Sequence, residues 1–247
     1  MTQASPSSQP SSSTQPSPST QPSLSTPPSP TDQASPPGHL LIIGANGGIG
    51  RQCVEAALAA GHHVTALLRN PANLPLTHPQ LQIVKGDILD PATFSSHLAR
   101  IDAVISAIGV KGTKPTTLYS RGNAIILQEM KKAGVSRAFF ISASAIEISP
   151  VLPFYVKLAA KYIVQKILRH MYADLRKMEA EIKASNANWT IIRPPRLTDQ
   201  PATGHYRYSI NSFLKNCLKI SRADVAHFII ANITNKTTYK STIEIAY

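Results

Sequence analysis

From residue 39 onward, short apolar runs alternate along the chain with longer segments of helical character. The runs predict buried strands at 39–44, 63–68, 81–87, 101–109, 137–145, 188–196 and near 241–247. Helices are predicted at 51–60, 91–100, 120–133, about 153–184 and from 221, where Ser221 and Asp224 fit a capping box. Because the strands are nearly continuous Val, Ile, Leu and Ala runs, the pattern predicts an α/β fold with a doubly wound parallel sheet.

The first 37 residues have a different composition from the rest. They are almost entirely Ser, Thr, Gln and Pro, with Asp32 as the only charge. Such a segment has little apolar surface to bury, so residues 1–37 are predicted to be a disordered tail and 38–247 a single domain. The tail lacks the basic start and apolar run of a secretory signal, and its lack of Arg argues against a transit peptide.

The net charge of the chain limits the classes of partner that it is expected to bind. The net charge of the chain is +12, which leaves +13 (25 basic minus 12 acidic residues) on residues 38–247. Nucleic acid, an acidic lipid surface or a phosphorylated cofactor with an acidic substrate would each suit this charge. Nucleic acid is not expected, because no recognition-helix, zinc-finger or aromatic RNA-binding signature is present.

Two further absences bear on the setting of the protein. No window holds eighteen consecutive apolar residues, so a transmembrane segment is not expected. Cys53 and Cys217 form no disulfide framework and lie in no metal-ligating spacing. The sequence therefore predicts a cytoplasmic protein without a structural metal.

The most informative motif is GANGGIG, which directly follows the first predicted strand and opens the first predicted helix. Glycines here allow a tight turn and a close approach of backbone N–H groups to a pyrophosphate at the helix N-terminus. The spacing is G-x-x-G-x-x-G, and the alternative is a simple turn. We predict a Rossmann-like cofactor loop formed by Gly44, Ala45, Asn46, Gly47, Gly48, Ile49 and Gly50.

The residues that follow the next strands indicate which cofactor the protein is predicted to bind. No carboxylate that could hold a ribose 2′-hydroxyl follows the second strand, whereas Arg69 could pair with the 2′-phosphate of NADP. NADPH is therefore predicted over NADH, the alternative being that Arg69 is a solvated surface residue. Asp87 and Ile88 are placed near the adenine, unless Asp87 only caps a turn. Backbone close to the middle of the cofactor is predicted at Ala107, Ile108 and Gly109.

In these features the chain resembles the atypical short-chain dehydrogenase/reductase families. Within these families it resembles in particular the NAD(P)H-binding proteins similar to flavin reductase and biliverdin-IX-beta reductase, and the NmrA-like group. It rests on GANGGIG, LLRN, KGDILDPATF, DAVISAIG, MKKAGVSRAFFISASA and, most specifically, IIRPPRLTDQPATGHYR. It covers nearly all of 39–247 and is weakest over 146–170, which looks like an insertion.

The resemblance implies hydride transfer from NADPH to a flat acceptor such as a flavin or a linear tetrapyrrole. It places Ser142 and Ser144 beside the nicotinamide, although Ala143 occupies the ungapped position of the active-site Ser of those reductases. Pro194 and Pro195 would line the cofactor. Arg196 stands where those reductases have His, and it favours an acidic, planar acceptor but is a poor proton donor.

Several alternatives remain open. Tyr162 and Lys166 have the Tyr-x-x-x-Lys spacing that serves as an acid–base pair in the broader superfamily, but such a pair also arises by chance on a basic helix. Residues 151–170 could contact a membrane peripherally, or simply pack on the sheet with solvated lysines.

The whole chain could also be a non-catalytic, NmrA-like NADP sensor. Nucleotide-sugar or isomerase chemistry is less expected, because the substrate region, predicted at 146–154 and 198–213, is short. The sequence indicates no oligomeric state.

Overall fold

The computed structural model describes residue 1 and residues 38–110, 112–148, 150, 158, 162 and 165–247. The predicted tail, apart from Met1, lies outside the described residues, as does most of 153–164, the first part of the helix predicted over about 153–184.

The described residues form a succession of strands and α-helices. The strands are β1 His39–Ile43, β2 His63–Leu68, β3 Leu81–Lys85, β4 Ala103–Ser106, β5 Arg137–Ile141, β6 Asn188–Arg193, β7 Arg196–Thr198, β8 Arg207–Ile210, β9 Lys219–Ser221 and β10 Ser241–Ala246. The α-helices are α1 Gly48–Ala59, α2 Leu118–Ala133, α3 Gln165–Ile167, α4 Arg169–Ala184 and α5 Arg222–Ala231.

Eight of these strands form one sheet in the order β3-β2-β1-β4-β5-β6-β10-β8. Neighbouring strands from β3 to β10 are all parallel, and β8 is antiparallel at the edge. The order reverses between β1 and β4, which makes the sheet doubly wound. The predicted α/β, Rossmann-like fold class is confirmed.

Helices cover both faces of the sheet. One apolar cluster joins one face to α1 and α5, and a second joins the other face to α2 and α4. Phe139 and Phe140, successive residues of β5, lie in different clusters, and both are fully buried. This two-sided burial explains why the strands are continuous apolar runs and not alternating ones.

The sequence pattern missed some elements and misjudged one. The helix predicted over 91–100 is instead two 3₁₀ turns, Pro91–Thr93 and Ser95–Leu98. The strands β7, β8 and β9 were not predicted, because each has only three or four residues and carries a polar or basic residue at its start. The strands β7 and β9 pair with each other in a separate parallel ribbon.

A buried carboxylate fixes the loop that carries the predicted TDQPATG motif. The side chain of Ser221 caps α5 by accepting from the N–H of Asp224, as predicted. The Asp224 carboxylate accepts hydrogen bonds from the N–H groups of Thr203 and Gly204 and from the hydroxyl of Tyr247. Burial alone would raise the pKa of Asp224, but these hydrogen bonds outweigh it and hold that pKa below its usual value. Asp224 thus ties α5 to the loop after β7.

Candidate functional site

A cleft of about 530 Å³ opens at the carboxyl ends of the parallel strands. It spans the ends of β1, β2, β3, β4 and β5, and therefore includes the point between β1 and β4 where the strand order reverses. Ligands of doubly wound sheets bind in this crevice. The cleft is therefore the candidate cofactor site.

Most of the sequence-predicted cofactor residues line this cleft. They are Gly44, Asn46, Gly47, Gly48, Ile49, Arg69, Asp87, Ile88, Ala107, Ile108, Gly109 and Ser142. Two residues of the loop, Ala45 and Gly50, are buried behind it and do not line the cleft. Pro194 and Pro195 are also outside the lining.

The glycines of the loop are required by close backbone packing. Gly44 has a φ of +79°, and a Cβ there would lie 2.6 Å from the carbonyl oxygen of Ala107. A Cβ on Gly50 would overlap the carbonyl oxygen of Gly44. The first turn of α1 therefore packs directly against the end of β1, which brings the helix N-terminus to the floor of the cleft.

The N-terminus of α1 fits an anionic group. Its N-cap residue, Gly47, offers no side-chain hydrogen bond, and the first turn of α1 holds no acidic residue. The first N–H groups of a helix have no acceptor within the helix, and the helix dipole favours negative charge there. A dinucleotide pyrophosphate supplies that charge, so the residues present fit the predicted cofactor.

The end of the cleft beside β2 and β3 is where the sequence predicts the adenosine of the cofactor. Arg69 is exposed directly after β2, with its side chain at the rim of the cleft. Asp87 follows β3 and does two things: it lines the cleft, and its Oδ1 accepts from the N–H of Leu89 at 2.9 Å. The turn role of Asp87 is therefore observed, and its predicted position near the adenine stays a prediction.

At the opposite end of the cleft, Ser142 is hydrogen-bonded to a buried ion pair that lies outside the cleft lining and that sequence reasoning did not single out. The Ser142 hydroxyl, at the end of β5, donates to Oε1 of Glu179 on α4 at 2.7 Å. Arg193, at the end of β6, pairs with both carboxylate oxygens of Glu179, and its Nη2 also lies 2.8 Å from Glu147. Ser142, Glu179 and Arg193 are each at most 7% exposed. The only sequence signal for this ion pair was Arg193, the first residue of the RPPR segment, and its buried partner Glu179 lies fourteen residues upstream.

The ion pair determines what Ser142 can do. Burial would raise the pKa of Glu179, but the hydrogen bonds and charge of Arg193 outweigh it and hold that pKa below its usual value. Glu179 is therefore ionised at neutral pH and acts only as an acceptor. Since Ser142 has a single hydroxyl proton and commits it to Glu179, its oxygen presents only lone pairs to the cleft.

The other two predicted catalytic residues lie away from the cleft lining. The backbone N–H of Ser144 donates to the carbonyl oxygen of Pro194 at 3.1 Å, and Ser144 does not line the cleft. Arg196 is exposed at the beginning of β7. Of the three predicted catalytic residues, the structure brings only Ser142 to the cleft.

The face of α4 toward the cleft is apolar. Met171 and Leu175, one helical turn apart, both line the cleft. Tyr162 and Lys166 are exposed and do not line it. A different tyrosine, Tyr119 at the start of α2, does line the cleft, and its hydroxyl accepts from the N–H of Val110 at 3.0 Å. Sequence reasoning missed Tyr119, Met171 and Leu175.

Comparison with known families identifies the chain. A model of the NAD(P)H-binding family matches residues 44–236. The chain belongs to this NAD(P)H-binding family. The match covers the glycine loop, Arg69 and the Glu179–Arg193 pair, and it confirms the predicted relationship to NAD(P)-binding, oxidoreductase-like proteins.

Individual relatives agree with this assignment. The photosystem II assembly factor Ycf39 of Synechocystis is 32% identical over 46% of this chain, but the match spans only 36% of that protein. Among solved structures, a putative NAD-dependent epimerase/dehydratase from Bacillus halodurans is 26% identical, with a TM-score of 0.68 over 85% of this chain and 94% of that one. The anaerobillin reductase ChuY of Escherichia coli O157:H7 shares the fold at 24% identity, with a TM-score of 0.65 over 84% and 96%.

None of the helices in the described part of the chain combines the length and apolarity that crossing a bilayer requires. Nor do the described residues contain a group of three or more His, Cys, Asp or Glu side chains that could hold a metal ion.

Proposed function

We propose that the protein is an NADPH-dependent reductase that passes hydride to a flat acceptor, such as a flavin or a linear tetrapyrrole. The observation that carries the proposal is the division of the cleft. Its phosphate-binding end is made of backbone and glycines, whereas α4 presents Met171 and Leu175 at its other end. An apolar wall of this kind suits a planar ring system better than a sugar or a small hydroxy compound.

NADPH is the proposed cofactor because of Arg69. The end of β2 is where a dinucleotide-binding fold meets the adenosine ribose, and the exposed guanidinium there can bind a 2′-phosphate through two hydrogen bonds. A bound NADPH would supply the hydride. The protein contributes the position of the cofactor and the exclusion of water.

The polar groups at the apolar end have complementary hydrogen-bonding roles. Ser142 can only accept a hydrogen bond from a ligand N–H, such as that of a carboxamide, an imide or a pyrrole. Because the Tyr119 hydroxyl already accepts from Val110, its proton is available for donation. Burial raises the pKa of Tyr119, so the phenol stays protonated at neutral pH. Tyr119 is thus the best placed proton donor for the proposed reaction.

The test follows nicotinamide absorbance after the purified protein is mixed with NADPH and then with FMN, riboflavin or biliverdin. The proposal expects oxidation of NADPH with at least one acceptor, at a rate that depends on the protein. In this assay, Tyr119→Phe should lower turnover with little effect on NADPH affinity, and Arg121→Ala, an exposed change on the same helix, is the matched control.

The second candidate is a non-catalytic NADP-binding sensor of the NmrA-like kind. It is favoured by the absence, among the described residues lining the cleft, of a Tyr–Lys pair on α4. Tight NADPH binding without hydride transfer to any of the three acceptors would support the sensor and refute the reductase.

A further inference from the structure

Arg222 is a cation that lines the cleft, and neither the glycine motif nor the residues at the strand ends predict its presence there. It is the first residue of α5, far from the loop in sequence, yet its side chain lines the cleft beside Gly48. A Cβ placed on Gly48 would overlap Cδ and Nε of Arg222. The side chain of Arg222 therefore lies directly over the first residue of α1, where the anion-binding N–H groups begin.

The guanidinium of Arg222 is held only loosely in this position. Its Nη1 lies 2.6 Å from Oδ1 of Asp199, but the side chain of Asp199 is 88% exposed and that of Arg222 is 29% exposed. Exposed ion pairs of this kind contribute little to stability, because water and salt screen them. Moving the guanidinium from Asp199 to another anion would therefore cost the fold little.

We propose that Arg222 binds the pyrophosphate of the dinucleotide, exchanging its Asp199 partner for phosphate oxygens when the cofactor enters. This inference rests on the proposed function, since it concerns the same cofactor. An anion at the N-terminus of α1 would lie between the helix N–H groups and Arg222, which would close over it from the α5 side. Arg69, after β2, stands at the separate adenosine end of the cleft and serves the 2′-phosphate.

The two arginines can be separated by their effect on cofactor choice. The pyrophosphate is common to NADPH and NADH, so Arg222→Ala should weaken both by a similar factor. A lost charge-assisted hydrogen bond to phosphate corresponds to about a tenfold loss of affinity or more. Asp199→Asn removes the competing carboxylate and should tighten both cofactors by about twofold or more, since the competing pair is weak.

The experiment measures the dissociation constants of NADPH and NADH by titration calorimetry for the full-length chain and its variants. Lys219→Ala is the matched control, because Lys219 is an exposed cation three residues from Arg222 that does not line the cleft. Thermal unfolding of each variant establishes that the fold is intact, and Arg222→Lys, which keeps the charge, should recover part of the affinity if the main variant is unstable.

The outcomes separate this inference from the proposed function. If the unaltered protein binds neither cofactor, the proposed function fails. If it binds them and Arg222→Ala binds as tightly, or loses NADPH alone, the pyrophosphate role of Arg222 is refuted. Weaker binding by Asp199→Asn would also overturn the exchange, because it would make Asp199 a support and not a competitor.

Discussion

The two ends of the cleft are built in different ways. The phosphate-binding end is a stretch of seven consecutive residues, GANGGIG, whose function depends on backbone geometry and on the absence of side chains. At the opposite end, Ser142 lines the cleft and is hydrogen-bonded to a charged network of Glu147, Glu179 and Arg193, which come from three other segments and lie outside the cleft lining. The loop of the first end is local in sequence and carries no charged residue, although Arg222 overlies it from α5, whereas the network behind the second end is non-local and ionic.

This difference shows why similar loops serve proteins of different activity. The glycine loop recognises what all dinucleotides share, and its chemistry is supplied by N–H groups that any sequence can offer. The network at the other end fixes which lone pairs and protons face the ligand. We therefore expect the choice of acceptor to depend on the residues at that end more than on the loop.

Breaking the network should have the largest effect on stability. Arg193→Met would leave the buried Glu179 carboxylate with only the half-exposed Lys183 as a cationic partner. Removing one member of a buried ion pair costs about 3 to 5 kcal/mol of unfolding free energy. Urea unfolding measures the loss, and Lys183→Ala, which removes the half-exposed partner, should cost less than about 1 kcal/mol. Equal losses for the two variants would contradict the central role of the buried pair.

The second-largest effect on stability is expected when a side chain is added to the glycine loop. Gly50→Ala forces a Cβ into the carbonyl oxygen of Gly44, and overpacking of this kind costs about 1 to 3 kcal/mol. It should also displace the N-terminus of α1 and abolish measurable NADPH binding. Gly109→Ala is the matched control for stability, because a Cβ there has no neighbour within 4 Å. If thermal melts place both variants at the same midpoint, the loop is not as tightly packed as its geometry indicates.

The preference for NADPH over NADH tests the end of the cleft that is proposed to hold the adenosine. Arg69→Ala should weaken NADPH about tenfold or more, as expected for loss of a charge-assisted contact, and leave NADH nearly unchanged. Calorimetric titration with both cofactors measures the ratio. An equal loss for NADPH and NADH would show that Arg69 does not read the 2′-phosphate.

Acid should affect the ionic end selectively, with a smaller effect. Because the folded-state pKa of Glu179 lies below its unfolded value, its ionised form stabilises the fold above about pH 4, and this contribution is lost as the pH falls through the folded pKa. Urea unfolding at descending pH should therefore show a fall in stability that is shallower in Glu179→Gln. The same slope in both proteins would mean that Glu179 does not couple to folding.

Much of the fold followed from the sequence pattern. The strand His63–Leu68 and the end of α2 before Gly134 occur as predicted, because apolar runs and a left-handed glycine are local signals. The short strands β7, β8 and β9 were not predictable in the same way. They are stabilised by their partners in the sheet and ribbon, and three or four residues carry too little periodicity to identify them.

The residues of the candidate site also separate into those that the sequence could locate and those that it could not. Arg69 and the glycine loop could be located because strand ends of a parallel sheet converge on one edge. Arg222 could not, because it lies 174 positions from Gly48 (222 minus 48) and meets it only when α5 packs beside α1. Ser144 and Arg196 were placed by resemblance, and the structure puts their side chains outside the cleft lining.

The sequence by itself determined the α/β class, the parallel sheet and the position of the phosphate-binding loop, because each depends on periodicity, glycine or strand order. Only the tertiary structure decided that Glu179 holds the Ser142 proton, that Met171 and Leu175 face the cleft, and that Arg222 overlies Gly48. Hydrogen-bond polarity and side-chain direction depend on which distant residues are brought into contact, and that information is present only once the helices pack on the sheet.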